Sequence, residues 1–337
     1  MQSMSTSIKD LLGDSFAIIY PGQGSQVVGM GSEFIDISEG AKNLFTSADD
    51  QLGAPLSELM LNGPDEELAD TFNAQPALLT HSLAALVVAD GIVSREAPGT
   101  HPAMVAGHSL GEFTALVTAG VIDFPTALAL VRERGRLMKE AGVKRPGGMA
   151  AVLGLTDEQL EAVCAEASSE GIINVANANC PGQTVISGEV AALERAMVLA
   201  KEAGAKRVAR LNVSIASHSP LMAEVSDELN RRLQDVDLQT PQIPVIGNTS
   251  GKAITTVEGV REELRHHVER PVNWTGSVQT MIAGGVTTFV ELGPGSVLAG
   301  LIKRIDRSVK TIGLKDLMAA SQTDGGASPG AAKNAPA

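Results

Sequence analysis

The chain has 337 residues, and its 26 basic against 39 acidic side chains give a net charge of −13 at pH 7, which argues against nucleic acid as the main partner. Hydrophobic residues at 44% and charged residues at 19% are typical of a globular enzyme, and we identify neither a membrane span nor a signal peptide. Two cysteines give no disulfide framework and no zinc spacing, so we expect a cytoplasmic protein without a bound metal.

Strand-like segments followed by glycine-containing loops dominate the N-terminal half. The apolar run FAIIY (16–20) predicts a buried strand, and the glycine-rich loop PGQGSQVVGMG follows it. Residues 76–90 predict a buried helix, AMVAG (103–107) a second buried strand, and LGEFTALVTAG a helix that ends at Gly120. This alternation predicts an α/β fold with a parallel sheet, in which sites form beyond the carboxyl ends of the strands.

The middle of the chain has a different order of elements. GMAAVLGL predicts a strand, and Thr156 with Gln159 then predicts a capping box at the start of a helix. Two further strands, a helix and the strand KRVARLNVS follow, and the order βαββαβ is that of a ferredoxin-like unit. The predicted boundaries are 15–146 and 214–317 for the α/β core, 147–213 for the inserted subdomain, and 1–14 and 318–337 for flexible tails.

Ser109 is a candidate nucleophile. It lies in a G-x-S-x-G pattern between Gly107 and Gly111, which is weak by itself in a glycine-rich chain. Its position between a predicted strand and a predicted helix is the context of a nucleophile turn. The N–H of Leu110 would then point at a developing oxyanion, with the helix dipole adding to the stabilisation. The alternative is an ordinary serine between two glycines.

A nucleophilic serine needs a base, and the chain has six histidines. His218 lies in SIASHSPLM, in a predicted loop where the inserted subdomain returns to the core, and loops often carry catalytic groups. His266 and His267, near ERPVNW, are the alternative. The residues favour His218 without excluding that pair.

Arg134 breaks the pattern of its predicted helix. It falls within the apolar arc of DFPTALALVRERGRLMKE, where a buried guanidinium is costly unless it is paired. Either a protein carboxylate such as Glu112 or a ligand anion could pair with it, and the sequence leaves both open. The Gln23 loop is equally open, since it could aim an N–H at an oxyanion or be only a tight turn.

Eight segments occur in one order along the chain: YPGQGSQVVGMG, QPALLTHSLAAL, GHSLGEFTALVTAG, VRERGRLM, NANCPGQTVISG, SHSPLM, PVNW and ELGPGSVLAGLIKRI. Together they resemble the malonyl-CoA:acyl carrier protein transacylases of fatty-acid synthesis, whose relatives include the acyltransferase domains of polyketide synthases. The resemblance runs from about Phe16 to about Leu314, nearly the whole chain outside the predicted tails.

The resemblance implies a role for each candidate residue. Ser109 would be the acylated nucleophile, His218 its general acid and base, and Arg134 the partner of the malonyl carboxylate. The main-chain N–H groups of Gln23 and Leu110 would form the oxyanion hole. Main-chain groups, rather than an aspartate, would orient the histidine. The implied fold is an α/β-hydrolase-like core with a ferredoxin-like insert.

The resemblance also implies the partners. Malonyl-CoA would be the acyl donor and the phosphopantetheine thiol of acyl carrier protein the acceptor, with no bound cofactor, no nucleic acid and no membrane. We expect a monomer. The acidic carrier protein would need a local basic patch, for which Lys303 and Arg304 are our candidates. The other basic residues considered are Arg307 and Lys310, and the group Lys206, Arg207 and Arg210.

Two departures from the family leave questions open. His267, seven positions before Trp274, stands where the family commonly carries a glutamine near the active site. The segment IASHS is similar in part to the ASH segment of methylmalonyl-selecting acyltransferases, which leaves the α-substituent of the acyl group open. The alternatives are therefore a transacylase for methylmalonyl or another acyl group, and a serine esterase or thioesterase. A non-enzymatic scaffold would leave Arg134 unexplained.

Overall fold

Two β-sheets and the helices packed around them form residues 7–324, the part of the chain that this computed structural model describes. The strands are β1 Phe16–Tyr20, β2 Met104–Gly107, β3 Gly147–Leu153, β4 Ile173–Cys180, β5 Gln183–Glu189, β6 Arg207–Arg210, β7 Val245–Ile246, β8 Ala253–Ile254, β9 Thr288–Glu291 and β10 Lys310–Gly313. The helices are α1 Ile8–Leu12, α2 Ser32–Ile35, α3 Glu39–Leu52, α4 Leu56–Asn62, α5 Asp65–Ala69, α6 Thr71–Glu96, α7 Gly111–Thr118, α8 Phe124–Lys144, α9 Asp157–Ala167, α10 Val190–Glu202, α11 Ala223–Gln234, α12 Val257–Arg265, α13 Trp274–Ala283, α14 Val297–Ile305 and α15 Leu314–Asp324. Short 3₁₀ helices lie at Ser168–Glu170 and Pro220–Met222.

The larger sheet has the strand order β10-β9-β1-β2-β7-β8. Its strands pair in parallel except for β7 and β8, which are antiparallel. All five residues of β1 are buried, because helices cover both faces of the sheet, and this explains the continuous apolar run FAIIY. The predicted α/β fold with a parallel-rich sheet is confirmed. The loops after Tyr20, Gly107, Ile246 and Glu291 therefore leave the same edge of the sheet.

The second sheet is antiparallel, with the strand order β4-β5-β3-β6. Its elements follow one another as βαββαβ, and the predicted capping box is present with both reciprocal hydrogen bonds between Thr156 and Gln159. Helices α9 and α10 contribute to an apolar core of this sheet's own. The outer edge of β4 pairs in parallel with Val272, which joins this sheet to the segment before α13.

Helix α6 is longer than predicted. It begins at Thr71 rather than at residue 76, so Pro76 lies inside it. Proline has no N–H to donate to the carbonyl one turn earlier, and here Arg132 Nη1 donates to that carbonyl, on Phe72, at 2.7 Å. Among residues 7–324, α6 is the one helix long and apolar enough to cross a membrane by length and composition, and 67% of its apolar window is buried inside the protein. It is a core helix.

Both predicted flexible tails contain helix. Ile8 and Leu12 lie four residues apart on α1, and both are buried against the core, with Ser7 as the N-cap. At the other end α15 continues to Asp324 and packs on α6. The structure thus has helix over 8–12 and 318–324, where the sequence predicted flexible tails; Ile8 and Leu12 are buried, and Met318 and Ala320 pack partly against the same core. Residues 1–6 and 325–337 of the predicted tails lie outside the described residues.

Candidate active site

Ser109 occupies a sharp turn between β2 and α7. Its φ is 49°, in the left-handed region that residues other than glycine rarely adopt. A Cβ at Gly107 would clash with the backbone carbonyl of Gly111, and a Cβ at Gly111 would clash with the carbonyl of Tyr20. The turn thus requires both glycines of the G-x-S-x-G pattern, and the alternative of an ordinary serine between glycines has no support.

Asn248, which the sequence analysis missed, fixes this turn from the side. Its Oδ1 accepts from the Ser109 N–H at 2.6 Å, and its Nδ2 donates to the Gly107 carbonyl at 2.6 Å. The residue is buried and follows β7, the strand beside β2. Its place after a short strand of the same sheet was the one signal that could have identified it.

His218, and not His266, lies beside Ser109. The distance from Ser109 Oγ to His218 Nε2 is 2.8 Å, and His218 Nδ1 lies 3.0 Å from the main-chain carbonyl of Arg270. Because a carbonyl can only accept, Nδ1 carries the proton and Nε2 is free to accept from the serine hydroxyl. His266 instead lies 3.0 Å from Glu269 Oε1.

The environment of His218 keeps its imidazole neutral. Burial, with the charge of Arg134 and the proximity of His108 as smaller causes, lowers the pKa of His218 from 6.5 to about 3. A neutral imidazole with an open Nε2 is the form that a general base needs at neutral pH. The Ser109–His218 pair can therefore activate the hydroxyl.

Arg134 is buried beside the nucleophile with neutral partners. Its Nη1 donates to Gln75 Oε1 at 2.7 Å, and its Nη2 donates to Ser109 Oγ at 3.0 Å. Within the described residues, no carboxylate oxygen lies within 4.0 Å of its guanidinium, so an ion pair with Glu112 is absent. Burial lowers the pKa of Arg134 to about 10, which leaves the group charged at neutral pH. Of the two partners that the sequence left open, a ligand anion is the one that fits.

The side chain of Gln23 reaches Arg134 through two intermediaries. Thr71 Oγ1 donates to Gln23 Oε1 at 2.8 Å, and Gln75 Nε2 donates to Thr71 Oγ1 at 2.9 Å. Thr71 and Gln75 were not identified from the sequence, because both precede the predicted helix start at residue 76. The main-chain N–H groups of Gln23 and Leu110 donate to no partner within residues 7–324, so both are available to a ligand.

His267 lies beside His218 and close to the backbone of Ser109. The two imidazole centroids lie 6.2 Å apart, and His267 contacts the ring of Phe113 edge-on. His267 Nε2 lies 3.0 Å from Glu112 Oε2, without the alignment of a hydrogen bond. Burial raises the pKa of Glu112 well above its usual range and lowers that of His267, so burial favours the uncharged form of each group. Over residues 7–324, no group of three or more His, Cys, Asp or Glu residues could hold a metal ion.

Comparisons with known proteins find relatives that match most of the chain. The family model of the acyl transferase domain matches residues 17–332. The malonyl CoA-acyl carrier protein transacylase of Bacillus subtilis is 44% identical over 301 residues, which cover 89% of this chain and 93% of that protein. A crystal structure of an acyl carrier protein S-malonyltransferase from Vibrio cholerae is 44% identical with a TM-score of 0.83, covering 89% of this chain and 96% of that one. A malonyl-transacylase in complex with its type II polyketide synthase acyl-carrier protein is 40% identical with a TM-score of 0.86, covering 92% and 99%.

Proposed function

Since the chain belongs to the acyl transferase family, and within it to the malonyl-CoA:acyl carrier protein transacylases, we propose that it transfers a malonyl group from malonyl-CoA to the phosphopantetheine thiol of an acyl carrier protein. The observation that carries the proposal is Arg134. A buried cation that contacts the nucleophile and lacks an anionic partner among the described residues suits an acyl group that ends in a carboxylate.

The first half of the reaction acylates Ser109. As Ser109 Oγ attacks the thioester carbonyl, its proton passes to His218 Nε2, and the main-chain N–H groups of Gln23 and Leu110 stabilise the oxyanion. Each donor contributes roughly 3 kcal/mol to lowering the barrier. The carbon–sulfur bond then breaks, and the proton on His218 passes to the departing thiolate of coenzyme A. Arg134 holds the malonyl carboxylate throughout.

The second half repeats these steps in reverse with a different thiol. The phosphopantetheine thiol gives its proton to His218 and attacks the malonyl-serine ester. The ester bond breaks, Ser109 recovers its proton from His218, and malonyl-acyl carrier protein leaves. The exchange predicts ping-pong kinetics. It needs no metal or bound cofactor, because coenzyme A and phosphopantetheine enter as parts of the substrates.

We propose subdomain folds, a cellular location and an oligomeric state that are those expected for the family. The proposal treats residues 15–146 and 214–317 as an α/β-hydrolase-like core and residues 147–213 as a ferredoxin-like insert. The nucleophile turn after a parallel strand supports the first, and the βαββαβ order with the strand order β4-β5-β3-β6 supports the second. We also propose a cytoplasmic monomer that docks the carrier protein at Lys303 and Arg304, both of which are exposed.

The test of this function is a transfer assay with malonyl-CoA and holo acyl carrier protein, in which malonyl-carrier and free malonate are both measured. We expect malonyl-carrier to accumulate with little malonate, and the Ser109→Ala variant to form neither. Methylmalonyl-CoA and acetyl-CoA serve as competing donors. Steady release of malonate with or without carrier would indicate a hydrolase and contradict the proposal, as would a preference for methylmalonyl-CoA.

A further inference from the structure

His218 is held in an unusual backbone conformation. Its φ is 58°, and it shares this left-handed conformation with only one other described residue that is not glycine, Ser109. Such conformations persist where the surroundings determine them. The contacts that hold the backbone of His218 therefore decide where Nε2 points.

Two hydrogen bonds hold the main chain of His218, one to the segment between α12 and α13 and one to the second sheet. Its N–H donates to the carbonyl of Val268, in the segment that also supplies the Arg270 carbonyl for Nδ1. Its carbonyl accepts from Asn174 Nδ2 at 2.8 Å. Asn174 lies on β4 of the second sheet, so one of the two bonds crosses from that sheet to the proposed base.

The amide of Asn174 can take only one orientation. Its Nδ2 donates to two carbonyls, that of His218 and that of Val175 at 2.7 Å. A flipped amide would place its oxygen against both carbonyls, which repel it. In the observed orientation Oδ1 is buried and has no partner among the described residues, which is unfavourable by itself. The amide thus donates to His218 while its own Oδ1 stays buried without a hydrogen bond.

The same strand is fixed to the segment that orients His218. Ala178 N–H donates to the Val272 carbonyl at 2.9 Å, and Val272 N–H donates to the Ala176 carbonyl at 2.8 Å. Val272 comes two residues after Arg270. Strand β4 therefore has a fixed position relative to both the carbonyl that accepts from Nδ1 and the carbonyl of His218 itself.

From these contacts we infer that Asn174 is a positioning residue, which holds the backbone of His218 so that Nε2 meets Ser109 Oγ. This inference rests on the proposed function, in which His218 is the base. Without the amide the His218 carbonyl would lose its partner, the left-handed backbone would relax, and the imidazole would move away from the serine. A small displacement of a reacting group is enough to slow a reaction by one to two orders of magnitude.

The test compares Asn174→Leu with Asn230→Leu. Leucine has the same branched skeleton as asparagine but donates no hydrogen bond. Asn230 provides the matched control, because its Nδ2 also donates to a main-chain carbonyl, that of Arg265 at 2.9 Å, away from Ser109 and His218. Two rates are measured, the labelling of Ser109 by a fluorophosphonate probe and the transfer of malonyl to holo carrier. The probe needs the Ser109–His218 pair but no acyl substrate.

We expect Asn174→Leu to label about tenfold more slowly than the parent, and its kcat to fall by a similar factor while the KM for malonyl-CoA stays unchanged. Asn230→Leu should match the parent. Equal rates for the two variants would overturn the inference. Asn174→Ala is the second variant, since Asn174 lines a cavity of about 460 Å³ and alanine introduces no bulk there. If neither Asn174 variant unfolds cooperatively while Asn230→Leu does, the residue serves folding and the inference is wrong. A parent chain that labels normally but transfers no malonyl would refute the proposed function and leave the labelling comparison valid.

Discussion

At Arg134 a full positive charge lies in the interior with neutral hydrogen-bond partners, Gln75 and Ser109. Burying a guanidinium without an anion is unfavourable, which supports our proposal that a substrate carboxylate completes this site. Burial raises the pKa of Glu112 well above its usual range, and this disfavours an ionised carboxylate that would compete with the substrate for Arg134. The selectivity of the proposed reaction therefore depends on one side chain.

Replacing Arg134 with alanine should remove this selectivity. A charge-assisted contact contributes about 1.5–3 kcal/mol, so kcat/KM for malonyl-CoA should fall by roughly 10- to 100-fold. The kcat/KM for acetyl-CoA should change by less than about threefold, because no carboxylate contacts Arg134 in that case. Arg136→Ala is the control, since Arg136 lies on the same helix in surface ion pairs with Glu133 and Glu140. Equal losses for both thioesters would assign Arg134 a structural role.

The pH dependence of acylation tests the state of His218. Because its pKa is lowered from 6.5 to about 3, the imidazole stays neutral, and able to accept a proton, as the pH falls from neutrality toward that value. The kcat/KM for malonyl-CoA should therefore be nearly constant between about pH 8 and pH 5. A decline with a midpoint near 6.5 would mean that His218 titrates as if exposed, against its burial beside Arg134.

At the residue scale, the sequence predicted those site residues that neighbouring residues in the chain make recognisable. Ser109 has its glycines and flanking elements, and Arg134 occupies the wrong side of its own helix. Asn248 has no such signature, since it meets the turn only through the pairing of β7 with β2, 139 positions along the chain. The group that orients His218 is a main-chain carbonyl, which any residue at position 270 would supply. Neither could be read from residue types alone.

Among the elements, the turn between β2 and α7 is the most constrained. It brings two backbones so close that side chains have no room, at Gly107 against α7 and at Gly111 against Tyr20. The short helix α7 then starts directly after Leu110, with its N–H groups toward the turn. A strand, a turn and a helix of these lengths follow from the residues, which is why the predicted bounds here agree with the structure within two residues.

A single methyl group at this turn should abolish activity. Gly107→Ala places a Cβ against the carbonyl of Gly111, so we expect at least about 3 kcal/mol of lost stability, or no folded protein, together with loss of acylation. Gly91→Ala is the matched control in α6, where a Cβ meets no atom within 4 Å. It should raise the free energy of unfolding by roughly 0.5–1 kcal/mol, because alanine favours helix. Equal stability of the two variants in urea unfolding would contradict the close approach of the turn.

The tails and α6 mark where element prediction failed. Polar, small residues at both chain ends favoured flexibility, yet Ile8 and Leu12 are buried against the core. Only the tertiary structure creates the surface on which they pack. Likewise Pro76 suggested a helix start. Instead the helix continues through Pro76, because the side chain of Arg132 donates to the Phe72 carbonyl that the proline leaves without a donor. Both outcomes depend on residues distant in sequence.

For the molecule as a whole, the negative net charge opposes the docking of an acidic carrier protein. A chain of charge −13 repels an acidic carrier protein except where basic residues cluster. Lys303 and Arg304 end helix α14, and Lys206 with Arg207 lies where β6 begins. All four side chains are exposed, so the two groups can be compared directly.

Charge reversal should identify the docking patch. We expect Lys303→Glu with Arg304→Glu to raise the KM for holo carrier by about tenfold at low salt and to leave the KM for malonyl-CoA unchanged. Lys206→Glu with Arg207→Glu changes the net charge equally and should affect the carrier much less. If the second pair has the larger effect, docking lies on the insert and the proposed patch is wrong.

The most direct test of the account is the intact mass of the chain after brief exposure to malonyl-CoA. We predict one malonyl group per chain, located on Ser109 by peptide mapping, stable without an acceptor and discharged by holo acyl carrier protein. The Ser109→Ala variant should gain no mass. An unmodified parent chain, a malonyl group on another residue, or continuous release of malonate in place of a stable adduct would contradict the claim that Ser109 carries the acyl group between two thiols.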